Sequence, residues 1–223
     1  MRLFPAAALA ASLAGLTPAA GAAAVPSTPP AGLSFTILKD GEPIGHETYA
    51  FSRTGDALTV RVHTETRARV LFLDFHFRHD RTETWRGDRV ARLSSNTDDD
   101  GTLHHVEAID AGDGPRLTAD GESRTLPRGT LPLSLWGEAI LSRGLLYGIV
   151  DGRSYRVAVQ DLGRETLTIA DHPQPAEHFR LSGDIERDLW FGNDGLLLQA
   201  AFERMGYPIR FVRDPAPTTG AAP

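Results

Sequence analysis

The residues with the clearest chemical potential lie in the stretch SSNTDDDGTLHHVE, residues 94–107. Asn96, Asp98, Asp100, Gly101 and Glu107 have nearly the spacing of oxygen ligands in a calcium-binding EF-hand loop. Such a loop wraps its ion because helices flank it. Here the flanks RVARLSSNT and TLHHVEAI alternate apolar and polar residues, as strands do. On strands, Asn96 falls back on the incoming arm. Glu107 lies some six residues up the outgoing arm, roughly 20 Å away. One ion cannot join them. The run Asp98, Asp99, Asp100, Gly101 therefore predicts the reversal of a β-hairpin.

The eight histidines raise a second chemistry. His76 and His79 are three apart on an expected strand, so they point to opposite faces and cannot chelate one ion together. His104 and His105 diverge for the same reason. Asp74 and His76 share a face, where a neighbouring strand could complete a metal site or a proton relay, or where they could simply be solvated. Phosphate-binding glycine loops, nucleophile elbows, zinc-helix motifs and cysteine are absent, so no cofactor or metal and no catalytic residue is assigned. Paired carboxylates of a glycoside hydrolase stay open, because sequence does not say which acids face each other. Arg86, Gly87 and Asp88 match an adhesion tripeptide that also recurs in ordinary turns.

Aromatic residues offer a third possibility, binding. Trp85, Trp136 and Trp190, with Ile140 and Phe202, are the candidate lining of an apolar pocket, and Tyr207 and Phe211 lie close in sequence. The alternative is a packed core in which these rings only fill volume.

Positioning these groups requires strands. Leu58, Val60 and Val62 alternate with Thr59, Arg61 and His63, and short Gly/Asp turns punctuate the chain. Residues 70–85 are expected to continue as a long strand with Leu71, Leu73, Phe75 and Phe77 on one face. Asn193, Asp194 and Gly195 predict another tight hairpin. One segment departs from this rhythm. Ser134 can cap a helix of about three turns with Leu135, Trp136, Ala139 and Ile140 on its apolar face and Gly144 beyond its end. The expected fold is mainly β: one strongly curved antiparallel sheet of about ten strands, a half-open or closed barrel, with a short helix on its concave face.

Residues 1–24 read as a signal peptide: Arg2, a short apolar stretch, then Ala22, Ala23 and Ala24 as a cleavage site. Residues 25–32 read as a linker, 33–213 as a single β domain and 214–223 as a disordered tail. This predicts an exported protein, periplasmic or secreted. Without cysteine there is no lipid anchor of the lipoprotein type and no disulfide. A formal charge of −6, with Lys39 the only lysine, argues against a nucleic-acid partner. Glu138 and Arg143 interrupt the apolar segment 131–150, so no membrane span is expected after signal removal.

Several motifs together resemble a known family. They are Gly41 to His46, Glu83-Thr84-Trp85, Thr97 to Gly101, Ser134-Leu135-Trp136, Leu189-Trp190-Phe191 before Asp194 to Leu197, and Gly206 to Ile209. Their order and spacing resemble the exported bacterial family known as domain of unknown function 6134. The family has no established activity, so the resemblance implies no catalytic residues. It has a looser, fold-level similarity to periplasmic β proteins such as the lipoprotein carriers, which implies a curved sheet with an apolar concavity. Family members often carry Asn after the helix tryptophan, where this chain has Gly137.

Three functions follow. The first is a non-catalytic envelope protein holding an apolar or lipidic small molecule. The second is an accessory envelope protein with a filled core and a protein partner. The third is a hydrolase using carboxylates or Asp74 with His76.

Overall fold

In the computed structural model, which describes residues 32–70 and 72–215, the two-residue alternation resolves into fifteen strands of a single sheet. They are β1 (Leu33–Lys39), β2 (Glu42–Thr54), β3 (Ala57–Val70), β4 (Leu73–Arg86) and β5 (Arg89–Asp99). Then come β6 (Thr102–Asp110), β7 (Pro115–Ala119), β8 (Glu122–Thr125), β9 (Leu131–Pro132) and β10 (Leu145–Tyr147). The last five are β11 (Ser154–Ile169), β12 (His172–Gly183), β13 (Arg187–Phe191), β14 (Leu197–Arg204) and β15 (Tyr207–Arg213). The expected signal peptide, the linker apart from Gly32 and the tail beyond Pro215 lie outside the described residues.

Across the sheet the order is β8-β7-β6-β5-β4-β3-β2-β1-β15-β14-β13-β12-β11-β10-β9. The chain thus runs as two meandering arms joined at their roots, where β1 pairs with β15. Asp214, just after β15, strengthens that seam by accepting hydrogen bonds from Ser34 and Thr36 at 2.6 and 2.7 Å. Each arm coils. Register shifts between Thr84 and Trp85 and between Trp190 and Phe191 add twist, as bulges do. The arms approach without a ladder closing them. Instead the Ser95 hydroxyl of β5 donates to the Ile149 carbonyl at 2.7 Å, and Arg124 of β8 donates to the Gly152 carbonyl. The inner row of each strand makes one main core, including Phe35, Val60, Trp85, Leu93, Leu117, Leu189 and Phe191.

The DDDG stretch is a turn. Asp99 pairs with Thr102, and Asp100 and Gly101 take φ of 53° and 86°, the left-handed pair that a two-residue hairpin turn needs. The Gly101 N–H donates to Asp98 Oδ1 at 2.8 Å. Asn96 is occupied with His105, 2.9 Å away. Gly87 and Asp88 form the β4–β5 reversal, and Gly195, with φ of 68°, lies in the β13–β14 hairpin.

Three expectations are corrected. Among the described residues there are fifteen strands rather than about ten, because short pieces such as β7 to β10 pair at the edges without a long alternating run. The chain reverses between Val70 and Leu73, which are paired, rather than continuing straight. Leu71 lies outside the described residues, and no Gly, Pro, Asn or Asp marks that turn. The three-turn helix is a single 3-10 turn, Glu138–Ser142. Gly137 before it is extended, at φ −147° and ψ 167°, and makes an isolated bridge to Leu196. The Ser134 hydroxyl, free of any capping role, is drawn to Glu83.

Candidate functional site

Along β4 the inward row reads Phe77, His79, Arg81, Glu83, Trp85, because alternate residues share a face. Its middle is polar and almost without solvent contact: His79 is 2% exposed, Arg81 3% and Glu83 0%. Glu83 offsets its burial by accepting four hydrogen bonds. Arg81 Nε and the Ser134 hydroxyl donate to Oε1 at 2.6 and 2.7 Å. The indoles of Trp85 and Trp136 donate to Oε2 at 2.7 and 3.2 Å. A carboxylate so surrounded has donors on both oxygens, where an unpaired one would be costly to bury.

Arg81 continues the chain of contacts. Its Nη1 donates to His79 Nε2 at 2.9 Å, leaving the His79 Nδ1–H to donate to Thr97 Oγ1 at 2.7 Å. Burial, and then the Arg81 charge, lower the His79 pKa to about 3, so the ring is neutral at physiological pH. Burial opposes the Arg81 charge as well, but Glu83, Tyr49 and Glu47 together outweigh it and the guanidinium titrates above its usual range. Beside them, burial and then Glu83 push the Tyr147 phenol well up. Trp136 packs edge-on against Trp85 and Phe51, with centroids 5.6 and 5.5 Å apart. Ile140 is fully buried in the same core. Trp85, Trp136, Ile140 and Tyr147 all belong to the main packed core.

At the end of the sheet where the β1–β2, β5–β6 and β14–β15 turns gather lies a cavity of about 310 Å³. Its walls are chiefly apolar: Ile37, Phe75, Phe77, Phe202, Ile209 and Phe211 face it. Across it, Arg204 Nη2 of β14 meets Asp99 Oδ2 of β5 at 2.6 Å. Both residues line the cavity, and in the sheet β4, β3, β2, β1 and β15 lie between their strands. The ion pair therefore spans the concavity. Arg204 also lies over the Phe77 ring, 4.9 Å from its centroid, and Lys39 over the Tyr207 ring at 3.8 Å. Exposed apolar side chains crowd the same end: Phe72, Leu103 and Met205, at 90%, 75% and 79% exposure.

Of the five candidate lining residues, the structure brings Trp85, Trp136 and Ile140 together in the packed core and sets Phe202 in the cavity wall. Trp190 belongs to neither. It stacks on His178, centroids 4.3 Å apart, donates its indole N–H to Glu165 and packs with a small satellite cluster of Ile169, Ala176 and Leu198. The neighbours of Trp190 could have shown this, since Leu189 and Phe191 take the inner face and leave Trp190 the outer one. Sequence reasoning missed Ile37, Ile44 and Ile209. Period two along β4 would have linked Phe75 and Phe77 to Trp85 as one wall.

Asp74 and His76 make separate contacts. Asp74 lies 3.5 Å from Arg69, and His76 lies 3.6 Å from Asp98. Among the described residues no three His, Cys, Asp or Glu side chains gather as a metal site requires, and no helix is long and apolar enough to cross a membrane.

The described residues thus form a single barrel-like sheet, unclosed, with one main packed core and an apolar cavity at one end. The chain belongs to the family described as Domain of unknown function (DUF6134), which matches residues 35–214. Its fold is similar to that of a beta-barrel-like protein of domain of unknown function DUF1849 from Brucella abortus, with a TM-score of 0.61 at 9% identity. That match covers 82% of this chain and 94% of the other. A duf1089 family protein from Pseudomonas aeruginosa aligns with a TM-score of 0.38 at 12% identity, over 86% of this chain and 95% of the other. No curated protein gives a significant match.

Proposed function

We propose that the chain is a non-catalytic binding protein of the cell envelope that shelters an apolar or lipidic chain in the cavity at one end of its sheet. The carrying observation is the cavity of about 310 Å³ with its phenylalanine and isoleucine walls. That volume sits at the lower end of ordinary small-molecule pockets, about 300–1,000 Å³, and suits a single acyl chain better than a bulky lipid. Each methylene moved from water into such a space contributes about 0.8 kcal/mol before ordering costs are subtracted. The exposed Phe72, Leu103 and Met205 at the same end support entry of a greasy guest there. Export rests on the signal-like residues 1–24.

Native mass spectrometry on protein purified from its own envelope tests this reading. A reproducible adduct with a lipid mass is expected. Repeated ligand-free spectra would overturn it.

A further inference from the structure

Three cations stand at or against the cavity, and two already have carboxylates. Lys39 is 2.6 Å from Asp40, and Arg204 is 2.6 Å from Asp99. The third is Arg187, on the inner side of β13. Its guanidinium lies 3.9 Å from the centroid of the Phe202 ring, and Phe202 lines the cavity. Among the described residues no carboxylate comes within ion-pairing distance of Arg187, and its buried Nε has no hydrogen-bond partner. The carboxylate that most influences it, Glu47, is already committed: it accepts from Tyr49 at 2.6 Å and from Thr64 at 2.7 Å. Tyr155, also close by, directs its hydroxyl to Asp151.

The Nε of this guanidinium has neither solvent contact nor a hydrogen-bond partner and the group lies over a ring face, although Arg187 as a whole is only half-buried. The cost is visible in its acidity: burial, reinforced by the charge of Arg204, lowers the Arg187 pKa to about 10. Arg187 nonetheless stays charged at neutral pH. A half-buried charge with no carboxylate partner is costly to retain, and an incoming anion would relieve it. The apolar walls and the unpaired cation meet at Phe202, which lines both the cavity and the adjoining pocket that Arg187 lines. An amphiphile with its chain along the walls and its head past the edge of that ring would satisfy both.

We infer that the cavity selects a single-chain amphiphile with an anionic head, of the fatty-acid class, and that Arg187 behind Phe202 is its specificity-determining residue. This rests on the binding reading above and names the class of its ligand. The cavity chooses by charge, not by greasiness alone. A neutral chain of equal length gains the walls but leaves Arg187 unpaired, whereas a carboxylate gains both.

The test displaces a neutral naphthylamine dye, whose fluorescence rises in apolar surroundings, from the purified full chain with decanoate or decanol. Decanoate is expected to displace it at a concentration at least about tenfold lower than decanol. In Arg187→Met, which keeps the apolar stem, that ratio should fall to near one while decanol is unaffected; Arg187→Lys should retain most of it. Equal displacement by both probes in the wild type would overturn the anion proposal and leave the binding reading standing. Failure of the dye and both probes to bind would overturn both readings. A preference that persists unchanged in Arg187→Met would overturn the role of Arg187. If that variant does not fold, the wild-type ratio still decides the ligand class, and Arg187→Gln, polar but uncharged, should bring the ratio near one; an unchanged ratio there would overturn the role of Arg187.

Discussion

Arg81 Nε and Glu83 Oε1 lie 2.6 Å apart on one strand, with both side chains almost completely buried, and the two indoles beside them donate to the other oxygen of Glu83. Trp85 comes from the same strand, but Trp136 and Ser134 come from the segment leading into the 3-10 turn. The ion pair is therefore the knot by which that segment is tied across the concave face.

Removing one partner should be worse than removing both. Glu83→Leu strands the Arg81 charge and is expected to cost about 3–5 kcal/mol. The double variant Arg81→Met with Glu83→Leu should recover a substantial part of that loss. Urea titrations of the two would decide. A double variant no more stable than Glu83→Leu would contradict the stranded-charge account.

His79 makes stability depend on pH in a defined window. An imidazole in the unfolded chain takes a proton near pH 6.5, while His79 in the fold does so only near pH 3. Between these values the unfolded chain binds more protons. Its contribution is complete above pH 6.5 and is lost as the pH falls toward 3, by on the order of a few kcal/mol over the window. In His79→Gln, unfolding free energy measured between pH 6.5 and the carboxylate range should show a flatter slope. An unaltered slope would place the titration elsewhere.

The two environments of tryptophan should separate cleanly. Trp136→Ala opens the packed core and is expected to cost about 3–5 kcal/mol. Trp190→Ala removes a partly exposed ring on the outer face and should cost about 1 kcal/mol. Equal losses in denaturant melts would mean that inside and outside are misassigned.

Gly152 is where the two arms touch. A Cβ there would fall 2.5 Å from the Ala119 Cβ, and its φ of +67° already disfavours other residues. Gly152→Ala should lower stability by about 2 kcal/mol or more. Gly101→Ala, at φ +86° but facing open space, should cost only its backbone strain of about 1 kcal/mol. Thermal melts of the pair would show whether the arms are in firm contact; equal shifts would argue that they are not.

Filling the hollow should separate binding from folding. Ala68 faces the cavity, and Ala68→Phe places a ring in its space. Uptake of a neutral apolar dye should be lost while stability changes by less than about 1 kcal/mol. Undiminished dye uptake would mean that the dye binds outside the cavity.

Local chemistry alone determined a good deal of this protein. Leu58, Val60 and Val62 announce an inner face because side chains on a strand alternate, and Asp100 with Gly101 announces a reversal because both tolerate positive φ. Membership in the DUF6134 family is likewise written along the chain, in motifs from Gly41 to Ile209. The reversal between Val70 and Leu73 carried no such mark, since sheet pairing rather than turn preference imposes it. Ser134 has the right chemistry to cap a helix, yet Glu83, 51 residues earlier, competes for its hydroxyl and wins. The largest decision lay in how the sheet coils. Coiling brought Trp85 and Trp136 onto one carboxylate and left Phe77 and Phe202 facing empty space. Which rings meet in the interior depends on the twist summed over many strands, and short-range alternation carries no record of that sum.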